Sequence, residues 1–313
     1  MRVAVIGAGI AGLACADALR DAGHAPILFE TSPGPGGRMS THHAQCAEGV
    51  IGFDLGATHF TARSTAFKAL VREWERIGLA APWPIAGLHA WIGTPTMSAP
   101  LERMARAHDA RFSTPVTAIT RQGAAWTVHS ERRSFEGFEV VVLAIPSEQA
   151  APLLSLHDFE MARTAMSIGA RPIWSAMFVF EQRIAALPDF IRGSSPIVYA
   201  LRNNARPGRH PAEHWIVEAD WHWSEAHLAC DATSVCASLH AALGDLAGTA
   251  LADPVFADAR RWRLAQPSGS ELGYLWNEAI GLGMCGDCLS HGFVEHAWRS
   301  GHDLGEVIAL SDD

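Results

Sequence analysis

Several things are missing from this chain of 313 residues, and each absence narrows what it can be. No apolar run reaches the roughly 18 residues that a membrane span needs, so no membrane partner is expected. Net positive charge is missing as well. The formal charge of −9 argues against nucleic acid or an anionic membrane surface as the main partner. It leaves room for a local basic pocket and a small anionic substrate. The six cysteines, at 15, 46, 230, 236, 285 and 288, lack the spacing of a disulfide framework and read as cytosolic thiols. Sixteen histidines are scattered without an H-E-x-x-H pattern, and the His210/His214 pair encloses Pro211, so no metal site is expected. There is no nucleophilic triad, and no feature fixes an oligomeric state. What remains is ordinary: 49% hydrophobic and 18% charged residues, in a chain long enough for two lobes with their own cores.

The informative stretch is the first thirty residues. Val3 to Ile6 reads as a buried strand, Ile10 to Ala22 as a helix stopped by Gly23, and the following strand ends at Glu30. Between the first two lie Gly7, Gly9 and Gly12, spaced G-x-G-x-x-G. Gly7 makes the tight turn, Gly9 lets the backbone approach a pyrophosphate, and Gly12 lets the helix pack near the strand. The helix N-terminus at Ile10 and Ala11 offers unpaired N–H groups to phosphate, and Glu30 stands where a ribose-binding acid is needed. Arg2 and the apolar run after it also look like a short signal peptide, but cleavage there would delete the dinucleotide site. A protein mature from Met1 and cytoplasmic is therefore expected.

Ser32 to Ser40 forms a loop with Gly36, Gly37 and Arg38, able to set several amides and one guanidinium beside a phosphate. A Gly-Gly-Arg loop directly after the ribose acid points to FAD rather than to a nicotinamide dinucleotide. Gly52 to Phe60 reads as a strand and turn that bring the backbone of Gly56, Ala57 and Thr58 close to a ligand. His59 in that turn is either polar lining of the active site or a structural histidine, and a lone histidine favours the second. Ser64 to Gly78 reads as a helix, Trp91 to Met97 as a connector, and Glu139 to Ile145 as a buried strand close to the cofactor. The middle of the chain carries aromatic-rich strands at Ile173–Phe180, Pro196–Leu201 and His214–Asp220, which suggests an antiparallel second lobe. There Trp221 and Trp223 either line a flat ligand's pocket or pack at the lobe boundary.

The last fifty residues return to the opening theme. Gly281 to Asp287 reads as a strand ending in Gly286-Asp287, and Gly292 to Leu310 as a helix. Asp287 can accept from ribityl hydroxyls, and the helix start near Val294 points its positive end at the flavin. Cys285 and Cys288 also spell C-x-x-C, but a redox dithiol belongs at the start of a helix after an early strand, so the Gly-Asp reading is preferred.

With both ends in view, the chain resembles flavin-dependent amine-oxidase-like proteins, and more closely their renalase-like branch. The segments that carry the resemblance are VAVIGAGIAGLACADAL, GPGGRMST, FDLGATHFTAR, WIGTPTM, RPIWSAM, ADWHWSEAHL, RRWRLAQP and LGMCGDCLSHGFVEHAWRSG. They cover nearly the whole chain in order. The resemblance implies FAD held by Gly7, Gly9, Gly12, Glu30, Arg38 and Asp287, with the Val116 backbone on the adenine side. Two departures stand out. Bacterial relatives usually read G-A-Q-Y-F-T where this chain has Thr58 and His59, and carry a histidine where it has Arg260. The implied architecture is α/β: an FAD/NAD(P)-binding Rossmann-like domain (1–72, 96–150 and 266–313) interleaved with a smaller, mainly antiparallel β-sheet substrate domain (73–95 and 151–265).

The implied activity is oxidation of a small reduced substrate, with wrongly reduced dihydronicotinamide isomers of NAD(P)H as the renalase-like case and O2 returning the flavin to its oxidised form with release of H2O2. An amine oxidase or biosynthetic desaturase on the same fold is the alternative, as is a non-catalytic flavin-binding sensor or partner subunit. An amine would need an aromatic cage, for which Trp221, Trp223, Trp262 and Trp276 are available. No acid or base is identified. The catalytic candidates are His59, Trp221, Trp223, Arg260 and Trp276.

Overall fold

The computed structural model describes residues 1–311. Its central layer is a six-stranded sheet built from both ends of the chain. Arg2–Ile6 lies between Ala25–Phe29 on one side and Val140–Leu143 on the other, all parallel. Leu282–Cys285 adds in parallel beyond Val140–Leu143, and Tyr274–Asn277 closes that edge antiparallel. Asp109–Arg111 forms the opposite edge. Val3 to Ile6 and Val140–Leu143 are buried on both faces, which is why they read as unbroken apolar runs.

The nucleotide helix, Ile10–Asp21, packs on this sheet, and the C-terminal helix, Val294–Leu310, packs on the nucleotide helix. Two glycines permit that second contact. A Cβ on Gly301 would overlap the carbonyl oxygen of Ala11, and one on Gly305 would stand 2.8 Å from Cys15 O and from the Ala18 methyl. Thr65–Arg76 follows the Ser64 cap, whose Oγ accepts from Phe67 N at 3.4 Å.

The second lobe is a five-stranded antiparallel sheet in the order Phe190–Arg192, Ile197–Arg202, Glu213–Ala219, Ala170–Phe180, Phe256–Pro267. Trp174, Phe178, Trp215 and Val217 face the helix Ala232–Ala247, which buries Val235, Leu239 and Leu243 against them. The alternate residues Met177, Val179, Leu201 and Ile216 face the dinucleotide lobe and share its core. The two lobes are thus joined by apolar packing, with a buried ion cluster inside it.

That cluster centres on Asp54, at the end of the hairpin Thr41–Cys46/Gly49–Asp54. Its Oδ2 accepts from Arg206 Nη2 at 2.9 Å and Arg209 Nη2 at 2.6 Å, and its Oδ1 from Thr41 Oγ1 at 2.5 Å and Met97 N at 3.0 Å. Burial alone would raise this carboxyl, yet the two guanidiniums hold it below its ordinary value. The hairpin's first strand carries no sequence signal strong enough to be read ahead of the structure. The expected connector at Trp91 to Met97 is also corrected. Ala90–Gly93 is the middle strand of a three-stranded antiparallel sheet, because Ala80–Pro82 and Phe60–Thr61 pair with its two edges.

Candidate active site

A cavity of about 1080 Å³ runs between the lobes, at the upper end of the range for small-molecule sites. At one end, Gly7 turns with φ +106°, a conformation that a side chain would strain, and its backbone lies against Ala144 and Ile145. A Cβ on Gly12 would overlap the Gly7 carbonyl, so this glycine serves packing and stands off the cavity. Gly9 differs. A Cβ there meets nothing within 4 Å, because it points into the cavity. Gly9 also caps the nucleotide helix without a side-chain hydrogen bond, so the first-turn N–H groups at Ile10 and Ala11 are available to an anion.

Glu30 is already aimed. Its Oε2 accepts from Ala8 N at 2.9 Å and its Oε1 from Ser32 N at 2.8 Å, which fixes the carboxylate and leaves lone pairs for ribose hydroxyls. Gly37 and Arg38 follow in a short 3₁₀ turn on the cavity wall. Arg38 pairs with Asp287 and also donates to the carbonyl of Ala265 at 3.3 Å. Gly56 and Ala57 sit against the same turn, with Ala57 N donating to Arg38 O at 2.7 Å. Val116 lines the cavity as well, as do Ala144, Ile145 and Pro146 at the end of the expected buried strand.

Gly286, Asp287 and Val294 complete this half. Burial pushes the Asp287 carboxyl above its ordinary value even with Arg38 beside it. The C-terminal helix begins at the cavity with no side-chain cap, a second N-terminus open to a ligand. Cys285 and Cys288 are buried. Beside Cys15 and in the apolar interior the Cys285 thiol is pushed well up, and burial takes Cys288 to about 12. Neither has the accessible thiolate that a redox dithiol needs.

These observations fit an extended dinucleotide cofactor: an open approach at Gly9, an oriented acid at Glu30, two uncapped helix starts and a buried carboxyl at Asp287. The sequence matches a family described as NAD(P)-binding Rossmann-like domain over residues 5–74, and one described as flavin containing amine oxidoreductase over residues 85–302. The chain belongs to the flavin-containing amine oxidoreductases. FAD is the cofactor that this family membership implies, and the enzyme is an FAD-dependent oxidoreductase. Among curated relatives, this flavin-containing amine oxidoreductase is 30% identical to renalase of Mus musculus over 172 residues, which spans 49% of each chain. It is 55% identical to 15-cis-phytoene desaturase of Synechococcus elongatus over 40 residues, 13% of this chain and 8% of the desaturase. Cyclohexylamine oxidase from Brevibacterium oxydans IH-35A shares its fold, with a TM-score of 0.72 at 15% identity, covering 99% of this chain and 98% of the other.

At the far end of the cavity the floor is one face of the five-stranded sheet. Ile173, Glu218 and Trp262 come from three adjacent strands, and Arg261 and Arg263 lie beside them. Two residues slip out of register between Trp262 and Gln266, and this bulge brings Arg263 to Ala265 onto the wall. None of the five catalytic candidates read from sequence lines this cavity. Arg260 is on the right face but on the outer strand, where it is exposed and pairs with Asp258 at 3.0 Å. Trp221 stacks on His222 beneath Arg171, and Trp223 stacks on His227 against the helical side of the sheet, so packing is the reading that the structure supports. Trp276 covers Gly283 beside the C-terminal helix. His59 stands in a ring cluster with Trp83 and Phe190, each 5.9 Å away, and the buried Thr58 Oγ1 lies 3.1 Å from its Nδ1. Burial, with Arg192 and Arg206 nearby, lowers His59 to about 4, so it is neutral at working pH.

Sequence reading passed over Glu218 as an active-site residue, and of the four tryptophans named for an aromatic cage only Trp262 lines the cavity. The available signal for Glu218 was a single acid within Trp215 to Ala219, a run too apolar to face water on either side.

As a site test, Asp287→Ala is expected to weaken FAD binding about 10- to 100-fold, the range for a lost charge-assisted hydrogen bond. Flavin absorbance per protein after dialysis reads this directly; full retention would place the ribityl contact elsewhere.

Proposed function

We propose that this enzyme oxidises a small anionic substrate carrying a reduced ring, with wrongly reduced isomers of NAD(P)H as the best case, and that oxygen is the final acceptor. The observation that carries this reading is the charge at the substrate end. Arg263 lines the cavity and makes no ion pair or hydrogen bond among the described residues, while the neighbouring Arg261 is taken up by the Leu228 carbonyl and the Trp174 ring. The one acid there, Glu218, is pushed by burial to about 8 and is uncharged at neutral pH. A site of this kind favours phosphates over an ammonium group.

FAD, when bound, accepts the hydride that leaves the substrate carbon. The chain's own part is position and solvent exclusion. Glu30, Arg38, Asp287 and the two helix starts hold the cofactor, while Ile173 and Trp262 give the substrate ring an apolar floor. Loss of hydride from a dihydropyridine makes an aromatic cation directly, so no base is required. Oxygen then takes up two electrons and two protons and leaves as hydrogen peroxide.

Anaerobic mixing of the FAD-loaded enzyme with 6-dihydro-NAD, 2-dihydro-NAD and a panel of amines tests this. The flavin is expected to bleach rapidly with a dihydro isomer and at least about 100-fold more slowly with any amine. Bleaching by an amine alone would replace this reading with amine oxidation.

A further inference from the structure

Glu218 is 7% exposed, lines the cavity, and has no hydrogen-bond or ionic partner among the described residues. Every other acid at the cavity is engaged: Glu30 with two backbone amides, Asp287 with Arg38. A buried polar group left without a partner is costly, and such a group at a ligand cavity marks a contact that the ligand completes. Its surroundings define that ligand. Glu218 pairs in register with Tyr199 on one neighbouring strand and Ser175 on the other, and cross-strand partners share a face. Ser175 is tied by its Oγ to Leu55 O at 3.2 Å, directly before Gly56 and Ala57. Beyond Tyr199, the Phe190 ring stacks at 5.8 Å with Arg192 over both rings, and neutral His59 lies behind. Beyond Ser175 lie Arg260 and Asp258, paired with each other. The charge at the substrate end is Arg263, since Arg261 is held by the Leu228 carbonyl and the Trp174 ring; the Arg38–Asp287 pair and Glu30 lie towards the cofactor end.

We infer that Glu218 is the specificity-determining residue of the substrate end, acting as a protonated carboxylic acid that donates its O–H to a carbonyl or carboxamide oxygen on the substrate ring. This deepens the proposed function, since a dihydronicotinamide carries such a carboxamide. It depends on a different contact from the anion-binding Arg263. Nothing in the cavity competes for the proton: no histidine lines it, and the unpaired Arg263 at its edge favours acceptor-bearing ligands over ammonium ones. Burial holds the carboxyl protonated up to about pH 8. Above that pH it ionises, and an unpaired carboxylate repels the same oxygen. Affinity for a carboxamide should therefore be constant below about pH 8 and fall about tenfold per pH unit above it.

Calorimetric titration of the FAD-saturated protein with nicotinamide, a neutral carboxamide, and with benzylamine, a cation at neutral pH, tests this without any turnover. Wild type is expected to bind nicotinamide with the pH break described. Glu218→Gln, nearly the same shape and still a donor, should bind with similar affinity and no break. Glu218→Leu should bind about tenfold or more weakly at every pH. A wild-type affinity without the break, or a Gln variant as weak as the Leu variant, overturns the inference. So does benzylamine binding tighter than nicotinamide below about pH 8, where Glu218 is protonated. If the dihydro isomers fail to bleach the flavin but the nicotinamide break is present and lost in Glu218→Gln, the oxidation reading falls and this one stands.

Discussion

Asp54→Asn is expected to lower the unfolding free energy by about 3–5 kcal/mol, the usual result of stripping the counter-charge from buried cations. Arg206 is fully buried and the Arg209 side chain is 2% exposed, so neither guanidinium can recover its lost partner from water. Arg206 Nη1 also donates to Thr58 O at 2.7 Å, and Arg209 Nη2 to Gly93 O at 2.9 Å. The damage should therefore reach the Gly56–His59 turn at the cofactor wall. Denaturant unfolding of the FAD-loaded protein gives the stability, and FAD titration gives the local effect. Replacing all three charges, as Asp54→Asn with Arg206→Met and Arg209→Met, should restore part of the loss. The pH dependence has a definite sign. A carboxyl held below its ordinary value contributes stability above about pH 3.9, and that contribution disappears as pH falls through its folded value. A variant as stable as wild type at neutral pH would show that the cluster adds nothing to the join between the lobes.

Gly9→Val is expected to keep the fold and lose the cofactor, weakening FAD binding by about 100-fold or more. Gly9 has φ −75° and ψ 177°, an extended conformation that suits a β-branched residue, and its missing Cβ meets no protein atom. The new methyls would stand where the pyrophosphate must approach. Gly12→Val gives the contrast: its Cβ collides with the Gly7 carbonyl, so it should fail by destabilising the apoprotein. Thermal melts without FAD separate the two variants, and flavin retention measures the first. A yellow Gly9→Val protein would move the pyrophosphate away from this turn.

These contrasts show what the sequence could and could not reveal. The cofactor half was legible because its chemistry is local. A turn that only glycine can make, a helix start and an acid at a strand end lie within thirty residues, and each carries its own signature. The substrate half is assembled from Ile173, Glu218 and Trp262, which are far apart in the chain and meet only through strand register. Tryptophan density pointed instead to Trp221 and Trp223, which pack away from the cavity. Arg260 shares its edge strand with Trp262, which lies two residues on and reaches the cavity, while Arg260 is exposed and paired with Asp258. The hairpin at Thr41–Cys46 escaped notice because polar residues dominate its first strand.

The seating of Gly301 and Gly305 on the nucleotide helix also bears on timing. The ribosome delivers the first strand, the glycine turn and Glu30 at the outset, at about 5–20 residues per second. The sheet position of Leu282–Cys285, Asp287 and the covering helix follow far later in the chain. An emerging chain therefore carries half a binding site that cannot retain FAD. Cofactor capture therefore waits for the segment that carries Asp287, and it coincides with closure of the core rather than seeding it. FAD supply should then govern how much of the protein stays folded, and should have little influence on the early steps of its synthesis.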